Sequence, residues 1–201
     1  QDRRPLPPQP RPPKEPRRTT PEQAIEFMEK QQAHLVVGYP GTTFRAKDRF
    51  VLEVLLAILS GQGGRLFLEL RDRQGLAYRL SAFSVEGEEL GYVAAYIATS
   101  PENVNTAEVE IEKQFQLLRD RLVPKKELDR IKNYLVGAYE VSLQRKSTLA
   151  ACLTFNEIYG VGYRTYLKYS DSIFSVTAED LRSAARKYLN NDKRVLAIVK
   201  P

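Results

Sequence analysis

The stretch 63-GGRLFLELRDRQGLAY-78 carries the reading of this chain. Residues 65–74 read as a helix, and Gly75 stands where a glycine commonly closes one, because it takes the left-handed conformation without a Cβ clash. Leu76-Ala77-Tyr78 then leads into a strand over 77–85. The glycines on the other side, Gly61-Gln62-Gly63-Gly64, lack the Gly-Lys-Ser/Thr ending of a P-loop and the spacing of a dinucleotide fingerprint. They lie between two predicted helices and read as a sharp inter-helix turn.

Toward the N-terminus, Asp48 is placed to cap a helix that carries Val51, Val54, Leu55 and Ile58 on one face and ends at Gly61. Before it, residues 33–38 (AHLVVG) form a short apolar run closed by Tyr39-Pro40-Gly41, a strand and its turn. Toward the C-terminus, strands over 77–85 and 90–99 flank Glu86-Gly87-Glu88-Glu89, a hairpin connection.

Helices follow. Ser100-Pro101 is a start signal, with Val104, Ala107, Ile111, Phe115, Leu118 and Leu122 recurring at helical spacing behind it. Pro124 opens another helix, whose buried stripe is expected at Leu128, Ile131, Leu135 and Ala138. A third runs from Ser147 to Tyr159 and stops at Gly160 and Gly162. Thr177 with Asp180 resembles a capping box ahead of Leu181, Ala184, Ala185 and Tyr188, and residues 195–199 form a last strand. Strands bracketing runs of helices predict an α+β domain over 20–201, an antiparallel sheet with helices packed on one face.

Residues 1–19 differ in composition. Seven of the twelve prolines fall between Pro5 and Pro16, which predicts an extended polyproline-type segment without a core of its own. It reads as a stiff spacer; Arg4-Pro5-Leu6-Pro7-Pro8-Gln9-Pro10 also has the form of an SH3-domain ligand. The net charge of +6 is concentrated there. Arg3, Arg4, Arg11, Lys14, Arg17 and Arg18 against Asp2 and Glu15 contribute +4, which leaves +2 for the other 183 residues. That balance is a poor footprint for DNA or RNA, so no nucleic-acid partner is expected. The strongest apolar stretch, 51–59, is short and interrupted by Glu53, so no membrane span is predicted. A chain opening on Gln1, with no signal peptide, reads as a piece of a longer or processed protein.

Catalytic chemistry of its own finds little support. A zinc hydrolase needs about three protein ligands and an open water position, yet His34 is the only histidine and has no carboxylate beside it. It reads as a core or sheet-face histidine. Cys152, the single cysteine, stands among Ala150, Ala151, Leu153 and Phe155, which predicts a buried, inert thiol.

Residues 63–78 closely resemble the "RLF…LR…GLAY" signature of the pitrilysin/insulinase family of zinc metallopeptidases, the inverzincins. The likeness extends over roughly 30–201. It takes in QAHLVVGYPGTTF (32–44), TSPENV (99–104), LDRIKNYLVGAYEVSLQ (128–144) and VTAEDLRSAARKYLNNDKRVLAIVKP (176–201), in the family's order. Active members carry His-x-x-Glu-His on a helix, with two zinc-binding histidines and a glutamate base; here the corresponding helix offers only Glu53. The resemblance is therefore to the family's inactive half, with no metal and no catalytic residue in this chain. It implies a pitrilysin-like half-unit that closes a chamber with a homologous zinc-bearing half, in the same polypeptide or a separate subunit, around a peptide substrate. It also implies that Arg71 and Tyr78 hold the substrate. Two other readings stand beside it: a structural homologue without proteolytic role, like the core subunits of respiratory complexes, and an interaction module working through the polyproline tail.

Overall fold

A computed structural model describes residues 19–201, so the polyproline segment falls almost wholly outside the described residues. Strand β2 (Ala33–Pro40) is the axis of the fold. Its side chains alternate between buried and half-buried, as the period of two requires when only one face is covered. Strands β4 (Tyr92–Thr99) and β5 (Val195–Lys200) pair with it on either side, both antiparallel. Strand β3 (Ala77–Val85) adds antiparallel to β4 at one edge, and β1 (Glu22–Phe27) adds parallel to β5 at the other. The order is β1-β5-β2-β4-β3. The expected antiparallel sheet thus becomes mixed through one edge strand. β1 gave no sequence signal because all six of its residues are exposed; without a buried face there is no apolar alternation to read.

Helices α1 (Arg49–Leu59), α2 (Val104–Asp120) and α6 (Ala178–Tyr188) cover one face. Leu35, Val37, Ile97 and Leu196 from the sheet meet Leu55, Ile58, Ile111, Phe115 and Leu181 in a continuous buried core. Each such side chain contributes roughly 1.5–3 kcal/mol on burial. On the opposite face, His34 and Val36 are half-buried, and the His34 Nδ1 lies 2.8 Å from the Tyr96 hydroxyl across the strand pair. The histidine is thus a satisfied sheet-face residue.

The remaining helices, α3 (Lys125–Leu143), α4 (Lys146–Ile158) and α5 (Tyr169–Ser175), form a C-terminal layer together with a 3-10 turn at Tyr163–Lys168. In α3 the buried stripe follows Leu128 and Ile131 as expected and takes in Lys132 and Val136, with Leu135 half-buried against the core and Ala138 facing solvent.

Two helix starts resolve differently. Thr177 and Asp180 form the reciprocal capping box, with Asp180 N–H donating to Thr177 Oγ1 at 3.1 Å and Thr177 N–H to Asp180 Oδ2 at 2.9 Å. Asp48 precedes α1 but makes no side-chain cap. Its carboxylate instead accepts from Lys187 Nζ and Tyr188 Oη, each at 2.6 Å, and from Thr42 Oγ1 at 3.1 Å, tying α6 to the start of α1. Burial pushes the Asp48 carboxyl upward, but these donors outweigh it and hold it below its ordinary value.

Candidate functional site

The turn from Ser60 to Phe67 requires glycine at position 64. A Cβ there would sit 2.2 Å from the Ser60 carbonyl oxygen and 2.7 Å from that of Leu59. The chain then winds as expected for a helix, but residues Phe67–Arg73 adopt the wider π form. Gly75 closes it at φ +63°. Its N–H donates to Arg71 O at 3.0 Å, and Leu76 N–H donates to Leu70 O at 2.8 Å. Both bonds span one residue more than in the Schellman closure of an α-helix. Leu66 and Leu70 point into the core and hold the segment down.

Polar bonds fix this segment to its neighbours. Arg65 forms a two-pronged pair with Glu127 of α3, at 2.9 and 2.7 Å. Gln74 donates to Glu110 of α2 at 3.0 Å, and the buried Thr99 hydroxyl of β4 donates to Leu76 O at 2.6 Å. Arg71, half-buried, carries its guanidinium over the Phe67 ring at 4.6 Å. Glu69 pairs with Arg73 at 2.7 Å. Tyr78 is the second residue of β3, at a bulge: Ala77 pairs with Thr99 and Arg79 with Ala98, so its backbone is the extra residue. Bulges re-aim the strand locally and recur beside functional sites. The Gly75 turn therefore brings the backbone of Arg71 next to the start of β3.

A second feature escaped sequence reading. Glu53, the acid inside the apolar run of α1, lines a cavity of about 200 Å³ between α1, the C-terminal layer and the end of β3. Tyr169 Oη donates to Glu53 Oε1 at 2.5 Å, and Tyr139 stacks on Tyr169 with ring centroids 3.9 Å apart. Burial raises the Glu53 carboxyl above its ordinary value, the Tyr169 bond opposes this, and the charge of Glu86 adds to the rise. Burial likewise pushes the Tyr139 and Tyr169 phenols upward. Cys152 lies in the same wall, half-buried, with the Tyr139 hydroxyl and Asn156 Nδ2 each 3.6 Å from its sulfur. Its sequence neighbours Ala150, Ala151 and Phe155 face solvent, which corrects the expectation of an apolar burial. The only advance signal was an acid at a helical core position. Its partner, 116 residues away, was not legible.

Among the described residues, no group of three or more His, Cys, Asp and Glu side chains is placed to hold a metal ion. No described helix is long and apolar enough to cross a membrane. Glu53, where the resemblance would look for a metal helix, is bonded to a tyrosine, and His34 lies across the sheet from the helices. The donor set does not fit zinc.

The profile of the "Peptidase M16 inactive domain" matches residues 2–135. A Bacillus subtilis protein named "Uncharacterized zinc protease YmxG" is 25% identical over 174 residues, which cover 86% of this chain and 42% of that protein. Among solved structures, a protease from Helicobacter pylori superimposes with a TM-score of 0.87 at 20% identity, over 94% of this chain and 46% of that one. A peptidase M16 inactive domain from Pseudomonas fluorescens superimposes with a TM-score of 0.86 at 21% identity, over 94% and 45%. The chain thus spans less than half the length of these relatives, and it belongs to the peptidase M16 inactive-domain family.

Proposed function

We propose that this chain is the non-catalytic, substrate-binding half of a bipartite zinc endopeptidase. It closes a chamber against a homologous zinc-bearing half and holds the peptide through Arg71 and Tyr78. The observation that carries the reading is residues 63–78, which combine the family's signature with a π-wound turn clamped to α2, α3 and β4. Single-turn π segments are rare and gather at functional sites. The share of its relatives that the chain spans leaves room for a second half.

The division of labour follows from side-chain chemistry. The Arg71 guanidinium donates in a planar fork to carbonyl oxygens of an extended peptide. The Tyr78 hydroxyl donates to the carbonyl oxygen on which negative charge grows, which lowers the barrier more than it tightens ground-state binding. Zinc, bound by the other half, supplies the activated water.

Reconstitution with a zinc-bearing half tests this. Tyr78→Phe keeps the ring and removes only the donor, so turnover falls by about a hundredfold to a thousandfold while zinc content and assembly stay intact. Arg71→Lys acts mainly on KM, because an ammonium cannot reproduce the fork. Wild-type rates in both variants would make the two residues scaffold and favour the structural-homologue reading.

A further inference from the structure

The cavity beside Glu53 does not belong to the Arg71–Tyr78 segment. It opens near the far end of β3, at Glu86, eight residues along from Tyr78. Its walls combine two features that seldom meet without a reason. One is aromatic: Phe50, Tyr139 and Tyr169 form a continuous set of ring contacts, the first edge-on to Tyr169 at 5.9 Å and the second stacked on it. The other is anionic. Glu53 and Glu86 both line the space, and neither forms an ion pair with any described residue.

The hydrogen-bond directions decide what such a space can take. The Tyr169 hydroxyl is spent on Glu53 Oε1, and the Ser84 hydroxyl on Glu86 Oε1 at 3.0 Å. The Tyr139 hydroxyl donates to Tyr166 O at 3.4 Å, and the Thr165 hydroxyl to Val161 O at 2.8 Å. Each carboxylate therefore keeps its Oε2 without a donor among the described residues, and the neutral donors left in the lining are the Tyr166 hydroxyl and the Asn156 amide, whose Nδ2 already reaches the Cys152 sulfur. Among the described residues, Arg49 is the one cation in the lining. Its guanidinium lies over the Phe50 ring at 4.5 Å and donates to Phe44 O at 2.8 Å, so it balances one carboxylate at most. Anions are disfavoured by the remaining charge and by the negative faces of the rings. A cation bearing N–H groups satisfies both features, since ring faces attract it and carboxylates accept from it.

We infer that this cavity is a binding site for an organic cation, an alkylammonium or guanidinium group such as ends a lysine or arginine side chain. The volume of about 200 Å³ suits such a head group with a few methylenes. It lies below the roughly 300–1,000 Å³ of sites for drug-sized ligands. Every lining residue retains partial exposure, so the site is reached from solvent.

Cys152, the only thiol, lines the cavity and provides the readout. The alkylation rate of Cys152 in the full chain is measured with n-butylammonium, with n-butanol as the neutral isostere, and with sodium chloride at matched ionic strength. Nα-acetyl-lysine amide tests whether a peptide side chain reaches the same place as a free amine. Butylammonium at millimolar concentration slows alkylation several-fold, while butanol and salt do not. Glu86→Gln and Glu53→Gln each weaken the protection; Glu86→Gln removes a half-exposed charge and so keeps the test open if Glu53→Gln disturbs folding. Equal protection by butanol or by salt, or no protection by any cation, overturns the inference. Arg71→Lys and Tyr78→Phe leave the protection unchanged, so failure here and failure of the peptidase reading are distinguishable.

Discussion

The sheet with α1, α2 and α6 and the C-terminal layer of α3 to α5 are built on different terms. In the first, fully buried Leu35, Leu55, Ile97, Phe115 and Leu181 interlock across two layers. In the second, α4 buries no residue at all, and Phe155, Ile158 and Leu167 are more than half exposed. Leu128, Ile131 and Val136 of α3 and Ile173 of α5 still reach the core, while stacked rings and hydrogen bonds hold the outer part of the layer: Phe44 on Tyr159 at 4.1 Å, Tyr139 on Tyr169, and Arg45 Nε to Tyr159 O at 2.9 Å. Burial is cumulative and non-directional, whereas stacking and polar bonds are local and individually worth about 1 kcal/mol. The lesson is that stability and adaptability are segregated. The core fixes the sheet, and the cavity beside Glu53 sits at the boundary with the part that can open at lower cost.

The sharpest way to break this contrast is Phe115→Ala. It should cost about 3–5 kcal/mol in a urea or guanidinium titration, because the cavity it leaves in the core cannot collapse. A cost below about 1 kcal/mol would mean the core is far looser than its burial indicates. Next comes the tie between the core's own helices. Tyr188→Phe deletes a hydrogen bond to the Asp48 carboxylate and should cost about 1.5–3 kcal/mol, since the acceptor is charged.

Thr177→Ala removes one side of the α6 capping box and should cost about 0.5–2 kcal/mol. Restoration of most of that by Thr177→Ser would assign the loss to the cap.

Glu53→Gln tests the boundary. The folded-state carboxyl is raised, chiefly by burial and also by Glu86, although Tyr169 opposes it. Its contribution is therefore fully present below its unfolded value, about pH 4.3, and is lost as pH rises through the higher folded value. The Gln variant lacks this loss. The difference in unfolding free energy between variant and wild type should move in the variant's favour between about pH 4 and pH 7, the interval that brackets the unfolded carboxyl value. A difference independent of pH would show that Glu53 does not titrate against its surroundings.

The smallest effect is expected at Ile158→Ser in the outer layer, within about 0.5 kcal/mol. Hydrogen exchange sharpens the point: amides of α4 should exchange well before those of β2 and α2. Equal protection would mean that the molecule opens as one unit.

Features set by nearby residues were legible in the sequence. Gly75 stopped the helix, Gly160 and Gly162 ended α4 at φ +66° and +89°, the Thr177–Asp180 box started α6, and the spacing of Val104 to Leu118 gave the buried face of α2. Each depends on a conformational preference or a period within a few residues. The signature at 63–78 likewise located the Arg71 turn, though not its π winding. Tertiary structure alone decided what depended on partners far along the chain. β1 exists because β5 offers it a ladder, and Asp48 leaves its cap because Lys187 and Tyr188 compete for it. Glu53 faces a cavity because Tyr169 meets it from another helix. A single sequence encodes the donors and acceptors but not which of them become neighbours, and a carboxylate takes the strongest donors that folding brings within reach.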